Sequence, residues 1–170
     1  RPVPVWLVVQ AFGGVEHWPR APTAAELRNM VYQGIVNGTR GVLFYRFCGE
    51  EEREIQPLPL WKEVKELTRE LGSLATILVA NDVTRVLQRI DGSADLQVAV
   101  RESNNDFYLF MVNPTGRFLK ARFRLEGMGP VVGVEGIVGH SSLIIAPDGD
   151  LHLELGPLGM GVYRLLTAGV

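Results

Sequence analysis

Hydrophobic and polar positions change rhythm part-way along this chain. Residues 3–12 are nearly continuously apolar and end at Gly13-Gly14. So short a run, rich in Val and containing Trp, predicts a strand buried on both faces, as in a parallel sheet. A loop follows to Pro22. Thr23-Ala24-Ala25-Glu26 then matches a capping box, with the Thr oxygen accepting a free first-turn amide and Glu26 reaching back. Leu27, Met30, Val31, Gly34 and Ile35 follow at spacings of 3, 4, 7 and 8, one apolar helix face, and Asn37-Gly38 supplies the stop. Residues 41–47 predict a second buried strand. After a polar loop over 48–59, Leu60, Val64, Leu67, Leu71 and Leu74 mark a second amphipathic helix running to near Ala80. The first half therefore reads strand, helix, strand, helix.

From Val83 the period becomes two. Leu96, Val98 and Val100 alternate with Gln97, Ala99 and Arg101. Ser103-Asn104-Asn105-Asp106 predicts a hairpin turn into residues 107–112. Leu119, Ala121, Phe123 and Leu125 alternate with Lys120, Arg122 and Arg124. Further segments lie at 131–138, 143–146, 151–155 and 161–166, with a strong turn at Pro147-Asp148-Gly149-Asp150. Seven or eight short strands predict an antiparallel sandwich. The expected organisation is α/β over residues 1–81 and all-β over 82–170.

Composition narrows the function classes. The 170 residues are 46% hydrophobic, with 17 Lys+Arg against 19 Asp+Glu, a net charge of -2. That balance offers no basic excess for nucleic acid or an anionic membrane surface. Apolar runs fall far short of the roughly 20 residues that span a bilayer. The one cysteine, Cys48, excludes an intrachain disulfide and a Cys-rich zinc site. The chain opens at Arg1, without Met, and enters an apolar strand within a few residues. This reads as a cut inside a domain, so the compartment stays open. An upstream signal, if one stood there, implies a secreted or periplasmic protein.

Two parallel strands are too few for a stable sheet, because parallel sheets bury both faces. Further strands preceding Arg1 are expected. In a β/α barrel or open α/β sheet, function sits at the carboxyl ends of the strands. Here those ends run from Gln10 through Trp18, and from Tyr45-Arg46-Phe47-Cys48 onward.

The order of elements carries a resemblance. Pro4-Val5-Trp6 to Gln10-Ala11-Phe12-Gly13, Pro22-Thr23, Glu26-Leu27-Arg28 and Met30, and Gly38-Thr39-Arg40-Gly41-Val42 to Phe44-Tyr45 resemble the last two βα units of β/α-barrel (TIM-barrel) glycoside hydrolases. Leu60-Trp61 with Glu70-Leu71 resembles the last barrel helix. Tyr108-Leu109 to Val112-Asn113 and Gly161-Val162-Tyr163-Arg164-Leu165 resemble the β-sandwich that follows such barrels.

The resemblance implies a carbohydrate substrate, no organic cofactor, and hydrolysis by two carboxylates flanking the glycosidic bond. If residues 3–12 resemble the seventh barrel strand, the place of the nucleophile is held by Gln10, an amide that cannot act as one. Three alternatives follow: the pair lies upstream, Glu16 substitutes from the loop, or the barrel is a non-catalytic carbohydrate-binding or scaffolding one. The implied partners are a carbohydrate and the missing N-terminal barrel segment. The chain alone is expected to be inactive and to expose an apolar surface on its α/β half.

Each candidate residue has a plain alternative. Gln10 offers an acceptor and two donors to a sugar hydroxyl, or is a buried Gln satisfying loop amides. Trp18 and Tyr45 stack on a sugar ring, or pack a barrel rim. Glu16 and His17 share a polar, aromatic loop of the kind that binds ligands, where an exposed idle Glu is the plain reading. Arg46 clamps a carboxylate or makes a structural ion pair. The run Glu50 to Glu54 reads as a solvated loop without calcium-site geometry. Cys48 has no His partner in sequence, and His17, His140 and His152 lack metal-ligand spacing. Lys120, Arg122 and Arg124 read as the wet face of a strand.

Overall fold

The computed structural model describes residues 3–13, 17–45, 58–139 and 141–168. The chain divides into two compact units, residues 1–78 and 79–170. The architecture is two α/β units followed by all-β antiparallel sheets, the layout of a partial barrel plus sandwich.

In the first unit, β1 (Trp6–Gln10) pairs in parallel with β2 (Gly41–Tyr45). Between them runs α1 (Ala24–Val36). Its start is set locally. The Thr23 side chain accepts from the Glu26 amide at 3.2 Å, and Glu26 accepts from the Thr23 amide at 2.8 Å. Asn37 caps the other end, and Gly38 leaves it at φ +88°, where a side chain would strain. Leu27, Val31, Tyr32 and Ile35 are buried, on the face that the 3–4 spacing marks.

The second helix, α2 (Leu58–Ser73), begins just inside the segment expected to be loop, and α3 (Ala75–Leu78) follows it as a separate turn. Arg28 of α1 holds α2 by ion pairs to Glu63, at 2.7 Å, and to Glu70. The Tyr32 hydroxyl donates to the other Glu70 oxygen at 2.6 Å. Burial, reinforced by that bond to Glu70, pushes the Tyr32 phenol up.

The two faces of the strand pair differ. Leu7 and Val9 lie on the face toward α1, where Gly34 makes room: a Cβ there would meet Leu7 Cδ2 at 2.6 Å. Trp6, Val8, Leu43 and Tyr45, on the alternate face, are exposed. Both strands are apolar on both faces, but among the described residues only the face toward α1 is covered. A one-helix crossover covers one side of a parallel pair.

Among the described residues the second unit holds nine strands, more than the seven or eight expected. They are β3 (Asn81–Asp82), β4 (Leu87–Gly92), β5 (Gln97–Ser103), β6 (Asp106–Val112), β7 (Leu119–Leu125), β8 (Val131–Gly139), β9 (Ser142–Ile145), β10 (Leu151–Leu155) and β11 (Met160–Thr167). One sheet has the order β4-β7-β10-β9, the other β3-β5-β6-β11-β8, and the strand pairs in both are antiparallel. Leu96, Val100, Leu109, Met111, Phe123, Leu151, Leu153 and Leu165 fill the space between.

The period of two sorts β7. Leu119, Ala121 and Phe123 are buried, while the intervening cations meet acids across the sheet. Lys120 pairs with Glu154 at 2.5 Å, Arg122 with Asp91 at 2.9 Å, and Arg124 with Asp150 at 2.8 Å. The basic stripe is thus a neutralised outer face. The hydrogen bond from Arg124 lowers the Asp150 carboxyl below its ordinary range. Asn104 and Asn105, both at positive φ, form the expected hairpin turn.

Candidate functional site

Parallel register aligns the ends of β1 and β2. Gln10 stands opposite Tyr45, and the Ala11 amide donates to the Tyr45 carbonyl at 2.6 Å. Register also puts Trp6 beside Gly41 and Val8 beside Leu43 on the open face. Gly41 leaves room for the Trp6 ring, which a Cβ there would meet at 2.5 Å.

Phe12 is the hub of this end. It is buried, and its ring meets Tyr45 edge-on at a centroid distance of 5.4 Å and Trp18 at 5.2 Å. Trp18 and Tyr45 therefore flank one ring and remain about half exposed, at 45% and 53%. His17 leans edge-on against Trp18 at 6.1 Å. Edge-on contacts of this kind suit the aromatic quadrupole and hold ring planes steady.

The loop that carries Trp18 is tied down at three places. Gln10 Nε2 donates to the Phe12 carbonyl at 2.8 Å and to the Arg20 carbonyl at 3.3 Å. Arg20 in turn makes a two-pronged pair with Glu26, both contacts at 2.7 Å. The hydrogen bond from Arg20, helped by the Thr23 amide, draws the Glu26 carboxyl down to about 2. Gly13 supplies the third tie: a Cβ there would lie 1.9 Å from the Ala21 nitrogen, so only glycine permits this backbone approach.

Gln10 thus acts by its amide. Two carbonyl oxygens converge on its nitrogen, and each needs a donor. A carboxylate in this seat would face them with acceptors only. The loop groups that Gln10 meets are carbonyls, not the amides expected of it.

Of the five residues expected to form a site, Gln10, Trp18 and Tyr45 come together through Phe12. Glu16 and Arg46 lie outside the described residues, as do Cys48, His140 and the acidic run Glu50 to Glu54. Phe12 was missed as a site residue because it closes an apolar run. Its signal was the period of two: it continues the row of Val8 and Gln10, the row that faces Tyr45. Among the described residues, no group of three or more His, Cys, Asp or Glu is placed to hold a metal, and no helix is long and apolar enough to cross a membrane. Glu26, the carboxylate tied into this network, is committed to Arg20 and Thr23. The arrangement presents two half-exposed aromatic rings braced on one buried ring.

No family model matches the chain, and no curated protein matches its sequence. Solved structures do match in fold. The chain is similar to an alpha-amylase from Geobacillus thermoleovorans, solved with acarbose, at a TM-score of 0.61 and 8% identity, over 86% of this chain and 34% of that one. It is similar to an Anoxybacillus alpha-amylase at a TM-score of 0.56 and 13% identity, over 86% of this chain and 33% of that one. A family 30 subfamily 8 xylanase from Clostridium acetobutylicum matches over 97% of this chain and 43% of its own, at a TM-score of 0.50 and 10% identity. The chain spans about a third of the length of the amylases. These likenesses establish a glycoside-hydrolase-like fold, related to the TIM barrel, whose α/β region is followed by antiparallel sheets resembling a β-sandwich.

Proposed function

We propose that this chain is the C-terminal portion of a glycoside-hydrolase-like protein acting on carbohydrate. Its first unit supplies the last two βα units of the barrel, and its second the accessory sandwich. The ends of β1 and β2 form an aromatic wall on which a sugar ring stacks, with Trp18 and Tyr45 as the faces and Gln10 as the residue that positions the Trp18 loop. The observation that carries this reading is the pair of half-exposed aromatic rings braced on Phe12 at the carboxyl ends of two parallel strands. The open apolar face of the strands supports the same reading, since a barrel wall needs neighbours on both edges.

Acid/base hydrolysis of the glycosidic bond, in this proposal, falls to two carboxylates carried on other strands of the barrel. The second reading is a non-catalytic carbohydrate-binding or scaffolding barrel. It is favoured by Gln10, whose amide is built into the loop rather than standing in for a carboxylate. Glu16 and Arg46 remain candidates for contacts to the same ligand. The test is to assay the 170-residue chain for turnover of aryl glycosides and for retardation in gels containing soluble starch or xylan. Retardation without turnover is expected. Turnover of any glycoside overturns the assignment of catalysis to other strands, and free migration through both gels overturns the carbohydrate reading.

A further inference from the structure

The sandwich unit has an open mouth at one end, with chemistry unlike the core behind it. A cavity of about 550 Å³ lies there, within the ~300–1,000 Å³ of small-molecule sites. It is lined by Glu102, Asn105, Phe107, Met128 and Thr167, together with the glycine-flanked turn at 127–129. The period of two explains the placement. On β5 the inward row runs from Val98 and Val100 to Glu102, and on β11 from Tyr163 and Leu165 to Thr167. Register sets Glu102 opposite Phe107, and Phe107 opposite Leu165. The inward row thus changes at its last step from apolar to a carboxylate and a hydroxyl.

A carboxylate on an inward row is costly unless it meets water, a partner or a ligand. Among the described residues Glu102 makes no ion pair. No Lys, Arg or His lines the cavity, which argues against anions. What remains is an apolar floor of Phe107 and Met128. Around it stand an acceptor-only carboxylate, an amide and a hydroxyl, beside a turn whose glycines expose their backbone groups. A neutral sugar needs this combination: an apolar surface for its C–H face and acceptors and donors for its hydroxyls. We infer that this mouth is a second carbohydrate-binding site, separate from the aromatic wall of β1 and β2 and able to hold a saccharide unit of a longer glycan.

The test is a titration of the full 170-residue chain with maltotetraose and with xylotetraose, followed by backbone amide resonances. Saturable shifts at Asn105, Gly127, Gly129 and Thr167 are expected with at least one sugar. Two variants should each weaken binding at the mouth about tenfold, the loss of one hydrogen bond to a charged or well-placed group. Glu102→Gln keeps the shape. Asn105→Gly suits the positive φ of that position, so the hairpin stays folded. The same spectra report Phe12, Trp18 and Tyr45, so failure here is distinguishable from failure at the barrel site. Unmoved mouth resonances with both sugars overturn the inference. So does equal affinity in both variants, or a response to a tetramethylammonium probe alone.

Discussion

The side-chain amide of Gln10 donates to the backbone carbonyl of Arg20, ten residues along, at 3.3 Å. The same nitrogen donates to the Phe12 carbonyl at 2.8 Å. One side chain at the end of β1 thereby closes the loop that presents Trp18 beside Tyr45. Because the bonds run from nitrogen to carbonyls, the position demands an amide.

Gln10→Glu tests that demand. The carboxylate would face two carbonyl oxygens, so its charged form is disfavoured and its folded pKa rises above the unfolded value. Such a group weakens the fold as pH rises through the unfolded carboxylate range. The variant should lose about 1–3 kcal/mol at neutral pH, the cost of carbonyls left without donors plus repulsion. It should recover part of that loss near pH 4, where the carboxyl is protonated and again donates. Thermal unfolding at the two pH values checks this.

Glu26 predicts the opposite pH sense. Its carboxyl is drawn from 4.5 down to about 2 by Arg20 and by the Thr23 amide. A depressed pKa gives stability that is complete above 4.5 and is lost as pH falls toward about 2. The start of α1 should loosen across that window, seen as faster exchange of the Thr23 amide. Glu26→Gln should exchange fast on both sides of the window and show no such dependence.

The local devices were legible in the sequence, and the reason is short range. Thr23 and Glu26 are three residues apart, so their capping box needs no knowledge of the fold. Asn104-Asn105 and Gly38 likewise announce turns by their tolerance of positive φ. The alternation of β7 told its inside from its outside, although not which acid would meet each cation. What stayed hidden depends on groups without residue-type signatures. The Arg20 partner of Gln10 is a backbone carbonyl, which every residue has. Two strands, β3 and β4, match none of the segments read from the sequence; β3 has only two residues, too few to show a period. The open face of β1 and β2 was foreseen only as a consequence of too few strands, since a Val that meets water and a Val that meets a neighbour look the same in sequence.

Asn113 anchors the loops at one end of the sandwich and should be as sensitive as a core residue. It is fully buried, and its amide nitrogen donates to the carbonyls of Arg117 at 2.6 Å and Gly156 at 2.7 Å. Its oxygen accepts from the Thr115 amide at 2.9 Å. Asn113→Ala leaves these groups without their partner, at a cost of about 1–3 kcal/mol. Denaturant unfolding should show the midpoint lowered, with faster amide exchange at Thr115.

The carbohydrate reading of the barrel end is tested most directly at Trp18. The indole N–H resonance of Trp18 and the ring resonances of Tyr45 are followed while the 170-residue chain is titrated with malto- and xylo-oligosaccharides. Tyr45 is about half exposed, so Tyr45→Ala removes one stacking face with little effect on folding. Saturable movement of both sets of resonances with one sugar series is predicted, with the Trp18 response reduced severalfold in Tyr45→Ala, as one aromatic contact worth about 0.5–1.5 kcal/mol is lost. Resonances of Trp18 and Tyr45 that stay fixed at saturating concentrations of both series would contradict the account.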